Sequence, residues 1–235
     1  ETAAHATGAS EVFTIEEPVE YELKGINQIA VRSDIGLTFA TGLRHILRQD
    51  PNVVMVGEIR DGETADIAIR AALTGHLVFS TLHTNDAAGA FTRLIDMGIE
   101  PFLVASSVEA VMGQRLVRTI CSNCKEEQKV DPDYLRQINC PEHVIEAGKF
   151  YHGAGCEECR QQGYKGRLAI YELLVMSEGI RPLILNREAA SIIGQVAVNE
   201  GMRTLRDDGW QKVLDGQTTI EEILRVTMSD EHLKE

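Results

Sequence analysis

No run in the sequence approaches 18 consecutive apolar residues, which excludes a transmembrane helix, and the opening residues carry no signal-peptide pattern. Positive charge is scarce: 23 Lys and Arg stand against 36 Asp and Glu, a formal charge of -13. That balance argues against sequence-independent nucleic-acid binding and against a broad patch for anionic membranes, so no nucleic-acid partner is expected. Any nucleotide has to be captured by local geometry. An initiating Met is also missing. The opening Glu1-Thr2-Ala3-Ala4-His5-Ala6-Thr7-Gly8 reads as a cut helix or linker and predicts a fragment. At 43% apolar and 25% charged over 235 residues, the composition is that of a soluble globular protein with room for one sizeable domain and a smaller one.

The most informative stretch is Asn52-Val53-Val54-Met55-Val56-Gly57-Glu58-Ile59-Arg60-Asp61. Four apolar residues, three of them β-branched, predict a strand buried on both faces of a helix-covered parallel sheet. Glu58 then falls at the strand's carboxyl end, where open α/β sheets place ligands and where a carboxylate can hold hydrated Mg²⁺. The alternative is an acidic residue that merely ends a strand.

The neighbours repeat the pattern. Residues 11–16 alternate as a first strand and run into Glu16-Glu17-Pro18-Val19-Glu20-Tyr21-Glu22. This acidic run is either a solvated loop or the source of a general base, with Glu20 favoured, that orients water for phosphoryl transfer. A short segment with Asn27, Gln28 and Arg32 precedes a helix predicted over about 38–49, striped by Phe39, Leu43, Ile46 and Leu47. Arg44 and Arg48 share another face of it; they are either solvated or available to phosphate charge. A helix over 63–73 ended by Gly75, a strand over 76–83, and a helix capped by Asn85 or Asp86 and closed by Gly98 complete βαβ units. His76 and His83 bracket the second of these strands, and a neutral imidazole there can hydrogen-bond a γ-phosphate or its attacking water.

Cys121-Ser-Asn-Cys124 and Cys156-Glu-Glu-Cys159, with 31 residues between the pairs, have the spacing of two knuckles presenting four thiolates to one structural Zn²⁺. Disulfides are the alternative, disfavoured by the cytosolic character of the sequence. Cys140 is left over. Gly166 to Leu174 returns to a strand pattern, and helices are predicted over about 179–186, 188–200, 204–214 and 218–227, with Thr219 and Glu222 as a capping box. Trp210, Val213 and Leu214 read as packing residues.

In order and spacing, Glu-Glu-Pro-Val-Glu-Tyr, Leu-Arg-x-x-Leu-Arg-Gln-Asp-Pro, Val-Met-Val-Gly-Glu-Ile-Arg-Asp and Thr-Gly-His-Leu-Val-x-Ser-Thr-Leu-His-Thr-Asn-Asp-Ala resemble the secretion ATPase family of type II secretion and type IV pilus assembly. The resemblance implies a RecA-like core, ATP with Mg²⁺, and a homo-hexameric motor. It places that motor in the cytoplasm, peripheral to the inner membrane, served by a membrane platform protein and assembly accessory proteins. By the same resemblance Glu20 takes the catalytic glutamate position, with Glu17 standing where Asp is usual, and Glu58 matches the Walker B acid. Arg32 belongs with the acidic box, Arg44 and Arg48 match phosphate-reaching arginines, and His76 and His83 match the His box. The tetracysteine module favours assembly or secretion over retraction.

One element of the family pattern is missing. No Gly-Lys is followed by Ser or Thr; Gly148-Lys149 is followed by Phe150. Without that loop no row of backbone N–H groups cradles the phosphates. The chain alone is therefore expected to bind ATP poorly, to turn it over negligibly, and to be mostly monomeric, with its sheet incomplete on the N-terminal side. The expected organisation is a partial RecA-like α/β core over 1–118, a zinc module over 119–168 and a helical region over 169–235. Two rivals are a noncatalytic zinc-stapled docking module and a hydrolase using Zn²⁺ directly.

Overall fold

The computed structural model describes residues 11–227, so the expected linker at 1–8 lies outside the described residues. The first half contains β1 (Val12–Glu16), β2 (Asn27–Ala30), a 3-10 turn (Ser33–Ile35), α1 (Phe39–Leu47), β3 (Val53–Val56), α2 (Gly62–Leu73), β4 (Leu77–Ser80), α3 (Gly89–Asp96) and α4 (Pro101–Ser107). The second half contains β5 (Ala110–Ile120), β6 (Lys125–Gln128), α5 (Pro132–Gln137), α6 (Glu142–Ala147), β7 (Phe150–Gly153), a 3-10 turn (Glu157–Cys159), β8 (Tyr164–Val175), α7 (Ile180–Leu185), α8 (Ala190–Asn199), α9 (Leu205–Leu214) and α10 (Ile220–Val226). Two compact units result: residues up to Glu109 with Met176–Ile193, and Ala110–Val175 with the chain from Gly194 on.

The first unit is built on a four-stranded sheet in the order β2-β1-β3-β4, parallel throughout. Val53, Val54 and Val56 of β3 are buried, as their β-branched run requires for an inner strand covered on both faces. Helix α1 lies close against β1: a Cβ on Gly42 would collide with Cδ1 of Ile15. The Thr38 hydroxyl starts this helix by accepting from Thr41 N at 3.2 Å, and α1 ends at Leu47, two residues short of the expected Gln49. Asp61 starts α2, accepting from Thr64 N at 2.8 Å. Gly75, at φ +103°, ends it in the left-handed turn that lets His76 N reach Ala71 O.

Two expected boundaries move. The strand predicted over 76–83 is only Leu77–Ser80, because β3 offers it just four partners, Val53–Val56. The helix expected from Asn85 or Asp86 begins at Gly89; Asp86 still accepts from Gly89 N at 2.7 Å, but across a turn that precedes the helix. The short β2, which the sequence left unassigned, pairs with β1 along its whole length. Among the described residues no helix is long and apolar enough to cross a membrane.

The second unit is organised on the antiparallel ribbon β5–β8, registered from Ala110 opposite Val175 to Ile120 opposite Tyr164. Its inner face meets α9 and α10, where Trp210, Leu205, Val213, Ile220 and Ile223 join Val117 and Ile170. Leu135, Val144 and Phe150 belong to the same buried cluster, so the segment between the cysteine pairs shares a core with the helices. Trp210 is packing, as expected. The box expected at Thr219 is half made: Thr219 accepts from Glu222 N at 3.3 Å, but the Glu222 carboxylate is claimed by arginines. The reciprocal box is at Thr204 and Asp207 instead.

Candidate nucleotide site and tetracysteine centre

The carboxyl ends of β1, β3 and β4 gather one charged network. Gly57 follows β3 tightly against β1, donating to Ile15 O at 2.8 Å. Glu58 comes next, its side chain only 16% exposed. Both its oxygens are held by Arg60, through Nη2 and Nε at 2.6 Å each. Arg60 Nη1 also donates to Glu17 Oε2 at 3.0 Å, and His83 Nε2 stands 3.1 Å from Glu58 Oε2. The Arg60 hydrogen bond, ahead of that of His83, holds the Glu58 carboxyl below its usual range against a smaller opposing effect of burial. Thr81 ties the strand ends together, its hydroxyl donating to Gly57 O at 2.7 Å and its carbonyl accepting from Ile59 N at 3.0 Å. The structure thus brings Glu58, Glu17 and His83 together. The hard carboxylate oxygens of Glu58 and Glu17, already facing one cation in Arg60, fit a magnesium ion.

The other predicted residues lie around or away from this cluster. Glu20 is exposed in the loop after β1. Gln28 on β2 staples that loop: its Oε1 accepts from Leu23 N at 2.6 Å, and its Nε2 donates to Glu16 Oε1 at 3.0 Å and Tyr21 O at 3.1 Å. Arg32 is exposed and 3.7 Å from Asp34. Arg44 is paired with Glu63 at 2.6 Å on the first turn of α2, and Arg48 is the residue that ends α1. His76 is not part of the cluster. It precedes β4 at the sheet's amino end, where Nδ1 lies 3.0 Å from Ala71 O and 3.1 Å from Thr74 Oγ1, holding the end of α2.

Arg60 was missed as a site residue, although it stands in the motif two residues after Glu58. Gln28, by contrast, has no role that its own stretch of sequence predicts. A polar residue on a strand beside an acidic loop is the only signal the sequence offers for it.

In the second unit the four sulfurs of Cys121, Cys124, Cys156 and Cys159 lie within 4.8 Å of one another. The separations of 3.8 Å for Cys121–Cys156, 3.8 Å for Cys124–Cys159 and 3.7 Å for Cys156–Cys159 are far too long for disulfides. They match the edge of about 3.8 Å of a sulfur tetrahedron around a metal with bonds of about 2.3 Å. Backbone N–H groups point at the sulfurs: Gly155 to Cys124 at 3.3 Å, and Cys156 and Gly163 to Cys159 at 3.2 Å each. Such donors stabilise thiolates, but the four sulfurs differ: Cys156, helped first by Asn123 and then by the Cys159 N–H, is pulled down to about 6, whereas burial outweighs the Gly155 N–H and pushes the Cys124 thiol up to about 12. The close approach of Gly153 and Gly163, where a Cβ on either would meet the other's backbone, seats the second knuckle on β7. Cys140 is elsewhere, buried in the apolar cluster with its thiol pushed up to about 11 by burial, and is no ligand of this centre.

A parallel α/β sheet with acidic residues at its carboxyl ends, followed in the chain by a tetracysteine knuckle, is a RecA-like architecture. The family model described as type II/IV secretion system protein matches residues 3–225, and the chain belongs to that family. It is 54% identical over 223 residues to the type IV pilus assembly ATPase PilB of Thermus thermophilus, covering 95% of this chain and 25% of that protein. It is 51% identical to the type II secretion system protein E of Pseudomonas aeruginosa, covering 93% of this chain and 43% of that one. Among solved structures, the pilus retraction motor PilT with bound ADP superposes with a TM-score of 0.67 at 29% identity, over 94% of this chain and 53% of that chain. The Legionella pneumophila ATPase DotB shares the fold, with a TM-score of 0.64. The chain therefore spans about a quarter to under a half of the curated relatives it matches.

Proposed function

We propose that the chain is the motor portion of an ATPase that drives pilus assembly or type II secretion, and that the whole protein hydrolyses ATP at the carboxyl end of this sheet. The observation that carries this reading is the meeting of Glu58, Glu17 and His83 at three neighbouring strand ends in a member of the secretion family.

In that role Glu58 and Glu17 hold Mg²⁺, Glu20 on the stapled acidic loop orients the attacking water, and His83 hydrogen-bonds the γ-phosphate or that water. When bound, the magnesium ion neutralises charge on the phosphoryl oxygens. Arg32, Arg44 and Arg48 are exposed cations available to phosphates, including those held by a neighbouring copy in a homo-hexamer. The tetracysteine centre holds structural Zn²⁺; its closed donor set leaves no position for substrate, which speaks against direct zinc hydrolysis. Identities of 54% and 51% to assembly and secretion proteins, against 29% to the retraction motor, support assembly or secretion. The place of work is the cytoplasmic face of the inner membrane, on a platform protein and its accessory partners. This chain by itself, with no Gly-Lys-Ser/Thr loop, is inactive.

The test is the ATPase rate of the full-length protein. Glu20→Gln is expected to lower kcat by about 100-fold or more, the scale of general-base loss, and Glu58→Gln by at least as much. A full rate in both variants overturns the proposal.

A further inference from the structure

Arg60 lies between the carboxylates of Glu58 and Glu17. Its guanidinium bonds both Glu58 oxygens at 2.6 Å and reaches Glu17 at 3.0 Å, so one side chain bridges two carboxylates at the strand ends. It sits two residues from Glu58 between anchored neighbours: Ile59 is buried and bonded to Thr81 O at 3.0 Å, and Asp61 caps α2. The backbone of Arg60 is therefore fixed, while its side chain is 57% exposed and free to turn outward. A planar fork with several donors suits paired carboxylate oxygens, and because the guanidinium itself lies in solvent its bonds can be exchanged for water.

We propose that Arg60 is a built-in counter-cation, a positioning residue that holds Glu58 and Glu17 shaped and neutralised while no metal–nucleotide is bound and must release Glu58 for a divalent cation to enter. This rests on the reading of Glu58 as the metal-holding carboxylate. Two consequences follow from the geometry. With Arg60 in place, a divalent ion competes against a cation already seated, so metal alone binds weakly. Once displaced, the guanidinium stays tethered two residues from Glu58 and keeps its positive charge at the same strand end. The metal and the arginine then exchange places, and neither carboxylate is left unpaired.

The experiment titrates Mn²⁺, as a spin-active stand-in for Mg²⁺, into the full 235-residue chain and its variants without nucleotide, reading bound ion by electron paramagnetic resonance. Circular dichroism confirms that each variant is folded. Arg60→Gln is expected to tighten Mn²⁺ binding at least tenfold, Arg60→Lys by less, and Arg60→Gln with Glu58→Gln to lose the gain. If Arg60→Gln binds no tighter while Glu58→Gln alone weakens binding, the counter-cation role is overturned and the metal site survives. If no substitution changes Mn²⁺ binding, Glu58 is not a metal ligand here, and both readings fall.

Discussion

Glu58 and Glu222 are both carboxylates gripped by arginine, yet the grips are opposite in kind. Glu222, 1% exposed, takes Arg118 N at 2.9 Å, Arg118 Nη2 at 2.6 Å, and Arg225 Nε and Nη2 at 3.0 Å each. Those donors arrive from β5 and from its own helix, and Arg118 is itself pinned 4.1 Å over the Tyr164 ring. The acceptor capacity is filled and the surroundings are closed. Burial works against the charge, but the Arg225 and Arg118 hydrogen bonds outweigh it and hold the carboxyl at about 2. Glu58 is more open, and its chief partner comes from its own loop, so its bonds can be exchanged. The same pair of functional groups fastens β5 to α10 in one place and, on the proposed reading, is open to a ligand in the other. Partner origin and exposure, more than residue type, separate scaffold from site.

That contrast can be broken at several points. The largest effect is expected from stripping metal from the tetracysteine centre, since structural zinc is worth on the order of 10 kcal/mol in small modules. Chelation should open 121–163 to limited proteolysis, and a chain that keeps its protease resistance would show the sulfurs to be mere packing. Next comes Glu222→Ala, which removes a buried carboxylate that two half-exposed arginines hold between β5 and α10. It should cost about 2 kcal/mol in denaturant unfolding, whereas Glu58→Ala, whose arginine partner lies in solvent, should cost about 1 kcal/mol or less. Equal costs would erase the distinction.

The pH dependence follows with its sign. Because the Glu222 pKa is lowered on folding, its stabilisation is fully present above the ordinary glutamate range and is lost as pH falls from about 4.5 towards about 2. Acid unfolding of Glu222→Gln should show a shallower slope in that window. A comparably small effect is expected of His76→Ala, which removes the ring from Ala71 O and should cost about 1 kcal/mol while leaving Mn²⁺ binding unchanged. A change in metal affinity there would put His76 back into the site.

The parts that could be read from sequence are those whose geometry is local. Glu58 could be placed because a β-branched run ends two residues before it, and the four cysteines because two knuckles need only their own spacing. His83 followed from the next strand in the same way. His76 shares its residue type and motif with His83, but strand direction decides which end of β4 a histidine occupies, and His76 falls at the amino end. The β8 half of the ribbon was legible in residues 166–174, but β5 and the pairing stayed hidden because Ala110 pairs with Val175, across the whole cysteine segment. Its β5 half also carries Gly113, which reads as a break; in the fold that glycine leaves room for the buried Glu172, whose Cγ lies 2.7 Å from where a Cβ would be. Arg60 could not be assigned because an arginine's partners follow from three strand ends meeting, which no single stretch encodes.

The most direct measurement is hydrogen exchange on the full-length protein with and without a non-hydrolysable ATP analogue and Mg²⁺. Nucleotide should slow exchange at 16–22, 57–61 and 81–84, while amides bonded to sulfur at Gly155, Cys156 and Gly163 stay protected in both states. No added protection at 57–61 would contradict the assignment of this sheet end as the nucleotide site.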